Sequence, residues 1–187
     1  WVGHSVGAQI LGMIPNHPRL TAMLSVAAGS GYHRHNNKPL RYYAPLLWHT
    51  IAPVALRLAG YFPGKRLGLV GDLPYGVMEQ WRKWCLAPAY LGAESQEVRA
   101  QLASVKLPIT AWSMRDDEMM TFAGTEALFG LYEGAPIELV RLDPKEHGLR
   151  NIGHFGFFRP QSREALWPMV RTWTERNAPL RSADRCA

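Results

Sequence analysis

The chain has 187 residues, 47% of them hydrophobic and 19% charged, with a formal net charge of +6. That is enough apolar chain for one ordinary domain with a core. Two distant cysteines, Cys85 and Cys186, exclude a disulfide framework and a C-x-x-C zinc site, and no zinc-finger or RNA-binding signature turns the positive charge into a nucleic-acid reader.

In chain order, the first signal is Gly3-His4-Ser5-Val6-Gly7, a G-x-S-x-G pattern that suits a sharp turn from strand to helix with a serine raised on it. Only Trp1 and Val2 precede it as strand. Val6 to Ile14 has helical spacing, ended by Pro15-Asn16-His17-Pro18. Leu20 to Ala27 is a short apolar run bounded by Gly-Ser-Gly and predicts a buried strand. Residues 31–93 lose this rhythm. They hold six of the seven tyrosines, together with Trp48, Trp81 and Trp84. Between Gly31 and Ser95 stand eight Lys/Arg against three acids, Asp72, Glu79 and Glu94, which reads first as a solvated face. The apolar run 46–58 contains His49, Pro53 and Arg57 and is shorter than the roughly 20 residues that span a bilayer. It predicts one or two helices kinked near Pro53, with contact at a membrane surface the lesser alternative. Tyr75 to Leu86 predicts a helix opened by Asp72 and Pro74.

Rhythm returns at Glu94. Residues 94–105 predict an amphipathic helix, 107–113 a strand, 121–132 a helix, 137–142 a strand and 162–176 a last helix. The acidic turn Arg115-Asp116-Asp117-Glu118 follows the strand at 107–113, and His147 and His154 follow the strand at 137–142. Strand–helix alternation predicts an α/β fold, a parallel sheet covered by helices. The expected organisation is a core of 1–30 and 94–178, a helical cap insertion at 31–93, and a disordered tail at 179–187.

A serine hydroxyl is a poor nucleophile until a base takes its proton, and it must stand clear of the backbone. The amide of the next residue, Val6, would point toward a developing oxyanion. Enzymes with this pattern present serine, acid and histidine in that order, and this chain has acids and histidines in the required places. His33, His35 and His49 lack an H-E-x-x-H pattern or nearby cysteine ligands, so no metal is expected, and Gly29-Ser30-Gly31 lacks the lysine of a phosphate loop.

Three stretches, GHSVGAQ at 3–9, LPITAWSMRDDEMMT at 107–121 and IGHFGFF at 152–158, resemble the C-terminal part of a bacterial α/β-hydrolase of the lipase/esterase-like or serine aminopeptidase-like type. The resemblance implies a partial α/β-hydrolase fold with Ser5 as nucleophile, Asp117 as acid and His154 as base. Asp116 is the alternative acid and His147 the alternative histidine; either acid could instead cap the following helix. His4 is expected to pack beside the turn. No cofactor is expected. The implied activity is a serine hydrolase, an esterase acting on an apolar or amphipathic acyl ester in the cytoplasm. An acyltransferase on the same residues, or an idle scaffold used for binding, are the alternatives, with a peptidase weaker still.

The resemblance also implies strands before Trp1 and a second oxyanion donor from that region. Four parallel strands or fewer are therefore expected, with the edge nearest Ser5 open and covered by a missing N-terminal segment or another chain. The 187 residues by themselves are expected to be nearly inactive.

Overall fold

The structure, a computed structural model, describes residues 1–15, 17–69 and 71–177. The expected tail at 179–187, with Cys186, lies outside the described residues.

Strand β1 (Val2–His4) turns at Ser5 into helix α1 (Val6–Gln9). This is one helical turn where a helix to Ile14 was expected; a 3₁₀ turn, Leu11–Met13, continues it. The reason is close packing. A Cβ on Gly12 would stand 2.9 Å from Leu102 Cα, so the chain tightens against a neighbouring helix at a residue that favours helix poorly. Strand β2 (Met23–Val26) occupies the centre of the expected run, and all four residues are buried.

Residues 31–93 are mostly helical. Helix α2 (Leu40–Leu46) passes through a π-helical turn (Leu47–Ile51) into α3 (Ala52–Ala59). The disturbance expected at Pro53 appears just before it, as this wide turn, in which the Ala52 amide donates to Leu47 O. A proline has no N–H for the ordinary ladder, and a wider turn absorbs the mismatch. Gly60, at φ 74°, ends α3 in the left-handed conformation. A two-stranded antiparallel ribbon, β3 (Tyr61–Phe62) and β4 (Leu73–Pro74), leads to α4 (Tyr75–Leu86), at the bounds expected. Asp72 does not cap α4: its Oδ1 accepts from the Lys65 amide at 3.0 Å and closes the ribbon's loop instead.

Helix α5 (Gln96–Ser104) starts at Ser95, whose hydroxyl accepts from the Val98 amide at 3.2 Å. Strand β5 (Ile109–Met114), helix α6 (Phe122–Phe129, capped by Thr121), strand β6 (Ile137–Leu142) and helix α7 (Arg163–Asn177) complete the chain. The main sheet is parallel with order β1-β2-β5-β6, in a register that aligns Gly3, Ser25, Ala111 and Leu139. Every strand therefore ends on the same side, and the loops that leave β1, β5 and β6 converge there. Among the described residues β1 pairs only with β2, so it forms one border of the sheet.

Alternate residues along each strand feed opposite faces. Met23, Ile109 and Ala111 join a buried cluster with Ala8 and Leu11, and the 31–93 segment contributes Trp48, Leu56, Phe62, Met78 and Tyr90 to that same cluster. Leu24, Val26, Trp112 and Met114 face the other way and pack with Leu166 of α7. The Cys85 thiol is buried in the first cluster, which pushes its pKa up.

Leu102 is fully buried against the 3₁₀ turn that follows α1. Leu102→Ala should destabilise the fold by about 2–5 kcal/mol, measured by urea denaturation. A loss well under 1 kcal/mol would mean that this packing does not anchor α1.

Candidate active site

Ser5 sits at φ 50° and ψ −123°, a conformation that a residue with a Cβ rarely adopts. Such strain persists only where the surroundings over-determine it. Here the Ser5 amide donates to Val26 O at 2.9 Å, and its carbonyl accepts from the Ala8 amide at 3.0 Å. Gly3 makes the turn possible: a Cβ there would lie 2.8 Å from both Ala8 Cα and Gly7 O. The second glycine of the pattern differs from expectation, since a Cβ on Gly7 would meet nothing within 4 Å. The Val6 amide opens α1 and lies outside the intrahelical ladder, so it is free to face an anion.

Gln9 fixes the turn from below. It is buried; its Nε2 donates to Gly29 O at 2.9 Å and its Oε1 accepts from the Tyr90 hydroxyl at 2.7 Å. The Tyr132 hydroxyl donates to Gln9 O at 2.7 Å. Burial pushes the Tyr132 phenol up to about 12 and raises that of Tyr90 as well, so both remain donors at neutral pH.

His154 lies on the loop after β6 and is 1% exposed. Its Nε2 is 3.0 Å from Ser5 Oγ, and its Nδ1 is 2.9 Å from Asp117 Oδ2. Asp117 is also buried, and its other oxygen accepts from the amides of Met119 and Met120, each at 2.8 Å. Three of the four residues singled out by the sequence thus meet in one line, and the fourth, Val6, adjoins it. Asp116 does something else: its Oδ2 accepts from the Ile152 amide at 2.8 Å. His147 ends a 3₁₀ turn, Pro144–His147, outside this line.

Two neighbours complete the enclosure of His154. Glu118 Oε2 accepts from the His154 amide at 2.9 Å. His4 Nε2 donates to His154 O at 2.8 Å, and the His4 ring packs on His154 and Phe155 at centroid distances of 5.3 and 5.8 Å. All four polar atoms of His154 are therefore held by side chains: those of Ser5, Asp117, Glu118 and His4. Gly153, at φ 62°, permits the approach, since a Cβ there would stand 2.8 Å from Glu118 Oε2. A Cβ on Gly156 would collide with Ile152 O at 1.9 Å.

The acid turn is anchored from the other side by residues 35–37. Asn37 Nδ2 donates to Asp117 O at 2.6 Å and to Met120 O at 3.2 Å, and Thr121 Oγ1 donates to His35 O at 2.6 Å. The sequence reading did not find Glu118, Gln9 or Asn37. The available signal was the run of three acids, Asp116-Asp117-Glu118, which is more carboxylate than a helix cap uses. Among the described residues no group of three His, Cys, Asp or Glu could hold a metal ion. Two surface hollows, of about 340 and 330 Å³, lie along α7 and are lined by none of these residues.

No protein-family model matches the chain, and no curated protein matches it. Solved structures do. A soluble variant of monoglyceride lipase from Saccharomyces cerevisiae, in complex with a substrate analogue, aligns at 15% identity with a TM-score of 0.61, over 94% of this chain and 61% of that one. An esterase domain of a Rhodothermus marinus protein aligns at 16% identity and TM-score 0.52, over 94% of this chain and 60% of that one. Pyrococcus horikoshii acylaminoacyl peptidase aligns at 10% identity and TM-score 0.50, over 94% and 23%. These likenesses define the fold as α/β-hydrolase-like. It is a partial one, since the chain spans about 60% of the length of the lipase and esterase-domain structures it matches.

If Glu118 holds the His154 loop, Glu118→Ala should speed hydrogen exchange of the His154 amide, read by NMR. Glu118→Gln should largely preserve protection, because its side-chain oxygen still accepts. Equal protection in all three proteins would show that this contact is not held in solution.

Proposed function

We propose that the chain carries the catalytic residues of a serine hydrolase that cleaves a carboxylic ester. The single observation that supports this best is the line from Ser5 Oγ to His154 Nε2 at 3.0 Å and from His154 Nδ1 to Asp117 Oδ2 at 2.9 Å, built on a strained serine turn. The solved structures of similar fold include a lipase, an esterase domain and a peptidase, which supports a hydrolase in general.

On this reading Ser5 Oγ attacks the ester carbonyl carbon while His154 Nε2 takes its proton. Asp117 keeps the ring with Nδ1–H toward itself and stabilises the imidazolium. The Val6 amide faces the oxyanion of the tetrahedral intermediate. That intermediate collapses to an acyl ester on Ser5, and His154 returns the proton to the leaving alkoxide as it departs as the alcohol. Water, deprotonated by the same nitrogen, then attacks the acyl carbon, and the carboxylic acid leaves with Ser5 restored. The aromatic segment 31–93, proposed as a cap, favours an apolar or amphipathic acyl group.

The second oxyanion donor of this enzyme class comes from a loop upstream of the serine strand. Removing one such donor costs about 10²–10³ in turnover. The 187 residues alone are therefore expected to hydrolyse an ester that much more slowly than a polypeptide that adds such a loop.

A fluorophosphonate probe should label Ser5, and Ser5→Ala and His154→Ala should abolish labelling. Asp117→Asn should lower p-nitrophenyl ester turnover by about 10⁴-fold, and Asp116→Asn by far less. Labelling that survives Ser5→Ala, or an Asp116 variant more damaging than the Asp117 one, would overturn the assignment.

A further inference from the structure

From Gly31 to Gly71 the chain has no Asp or Glu and six Lys/Arg. Within this stretch the continuous helical segment of α2, the π turn and α3 has two opposed rows. Ala44, Trp48, Ala52 and Leu56 are buried, one every fourth residue. Tyr42, Leu46, Thr50, Val54 and Leu58, offset by two, are exposed at the same interval. A plain α-helix would let rows of this period wind around its axis, because four residues exceed one 3.6-residue turn. The π turn in the middle is wider and offsets part of that drift, which keeps both rows close to straight.

The outward row is not a solvated face. Tyr42 is 64% exposed, Leu46 53%, Val54 50% and Leu58 82%. Exposed large apolar side chains in line on one helix mark a surface that water does not normally cover alone. Beside the row runs another made of Arg41, His49 and Arg57, each one position earlier than an outward residue and each exposed. None of these three forms an ion pair among the described residues.

We propose that this helix lies in the interface of an anionic lipid surface, with its apolar row in the acyl boundary and its cations among the headgroups. Charge decides the occupant. An apolar row flanked by the unpaired guanidinium groups of Arg41 and Arg57, in a stretch without a single carboxylate, is complementary to a negatively charged interface. Two copies of the chain meeting through the same row would instead bring like charges together. The helix does not cross the bilayer, since among the described residues no helix is long and apolar enough to do so. It begins at Leu40, just after Asn37, whose side chain holds the Asp117 carbonyl. A lipid surface seated on it would therefore adjoin the loop that carries the candidate acid. The binding needs no reaction at Ser5 and is read without turnover, so it stands or falls apart from the proposed hydrolase.

The test is co-sedimentation of the protein with vesicles of phosphatidylcholine alone and of phosphatidylcholine mixed with phosphatidylglycerol. Binding should require phosphatidylglycerol and weaken as salt is raised. Arg41→Gln and Arg57→Gln should each weaken it by about fivefold. Val54→Asp with Leu58→Asp should abolish it, and since both side chains are at least half exposed, the circular-dichroism spectrum should remain that of the folded parent. Ser5→Ala should bind like the parent. Absence of binding, equal binding to both vesicle types, or binding that survives the double Asp variant would overturn the proposal. So would a dimer, seen by sedimentation equilibrium, that the double variant dissolves in a protein that ignores vesicles.

Discussion

The candidate site depends first on a backbone conformation, that of Ser5 at φ 50°. A strained non-glycine turn is expensive, and this one is held by contacts that have no slack. Gly3 lets the strand and helix approach to a distance at which a methyl group would clash. The Ser5 amide is tied to β2, and Gln9 ties the end of α1 to Gly29 and Tyr90. The serine oxygen is thereby raised at the carboxyl end of the sheet, the one region where the loops after β5 and β6 can reach it.

The second constraint is the enclosure of His154. Asp117 Oδ2 can only accept, so its contact with the ring places a proton on His154 Nδ1 and turns Nε2 toward Ser5 Oγ. Asp117 reaches the ring because Asp116 and Glu118, its chain neighbours on both sides, hold the amides of Ile152 and His154. One three-residue turn therefore aligns both the ring and the backbone of the histidine loop, and His4 closes the arrangement from the serine side. Side chains whose rotamers are locked in this way hold reacting atoms more closely than loops left to themselves.

Much of this was legible in the sequence, for identifiable reasons. Helix α4 and strand β6 lie at the bounds read from periodicity, because each is a regular run flanked by clear breakers. The serine turn was legible because G-x-S-x-G suits a sharp strand-to-helix turn, although only its first glycine is required by close packing. The length of α1 was not, since its early end comes from the contact of Gly12 with Leu102, ninety residues away in the chain. Nor was the part played by Asp116 and Glu118. Which of three adjacent carboxylates faces a ring and which face amides depends on where a distant loop lies, and no spacing rule encodes that. The two-row pattern of 42–58 was visible only as a generally apolar run until burial separated the inward from the outward positions.

The proposed chemistry requires that Ser5 become covalently acylated with His154 as its base. Rapid-quench mass spectrometry of the protein mixed with p-nitrophenyl acetate tests it directly. One acetyl group is expected on the peptide that contains Ser5, appearing with the release of p-nitrophenol and absent in His154→Ala. An acetyl group on any other residue, or ester turnover that leaves Ser5 unmodified at every time point, would contradict it.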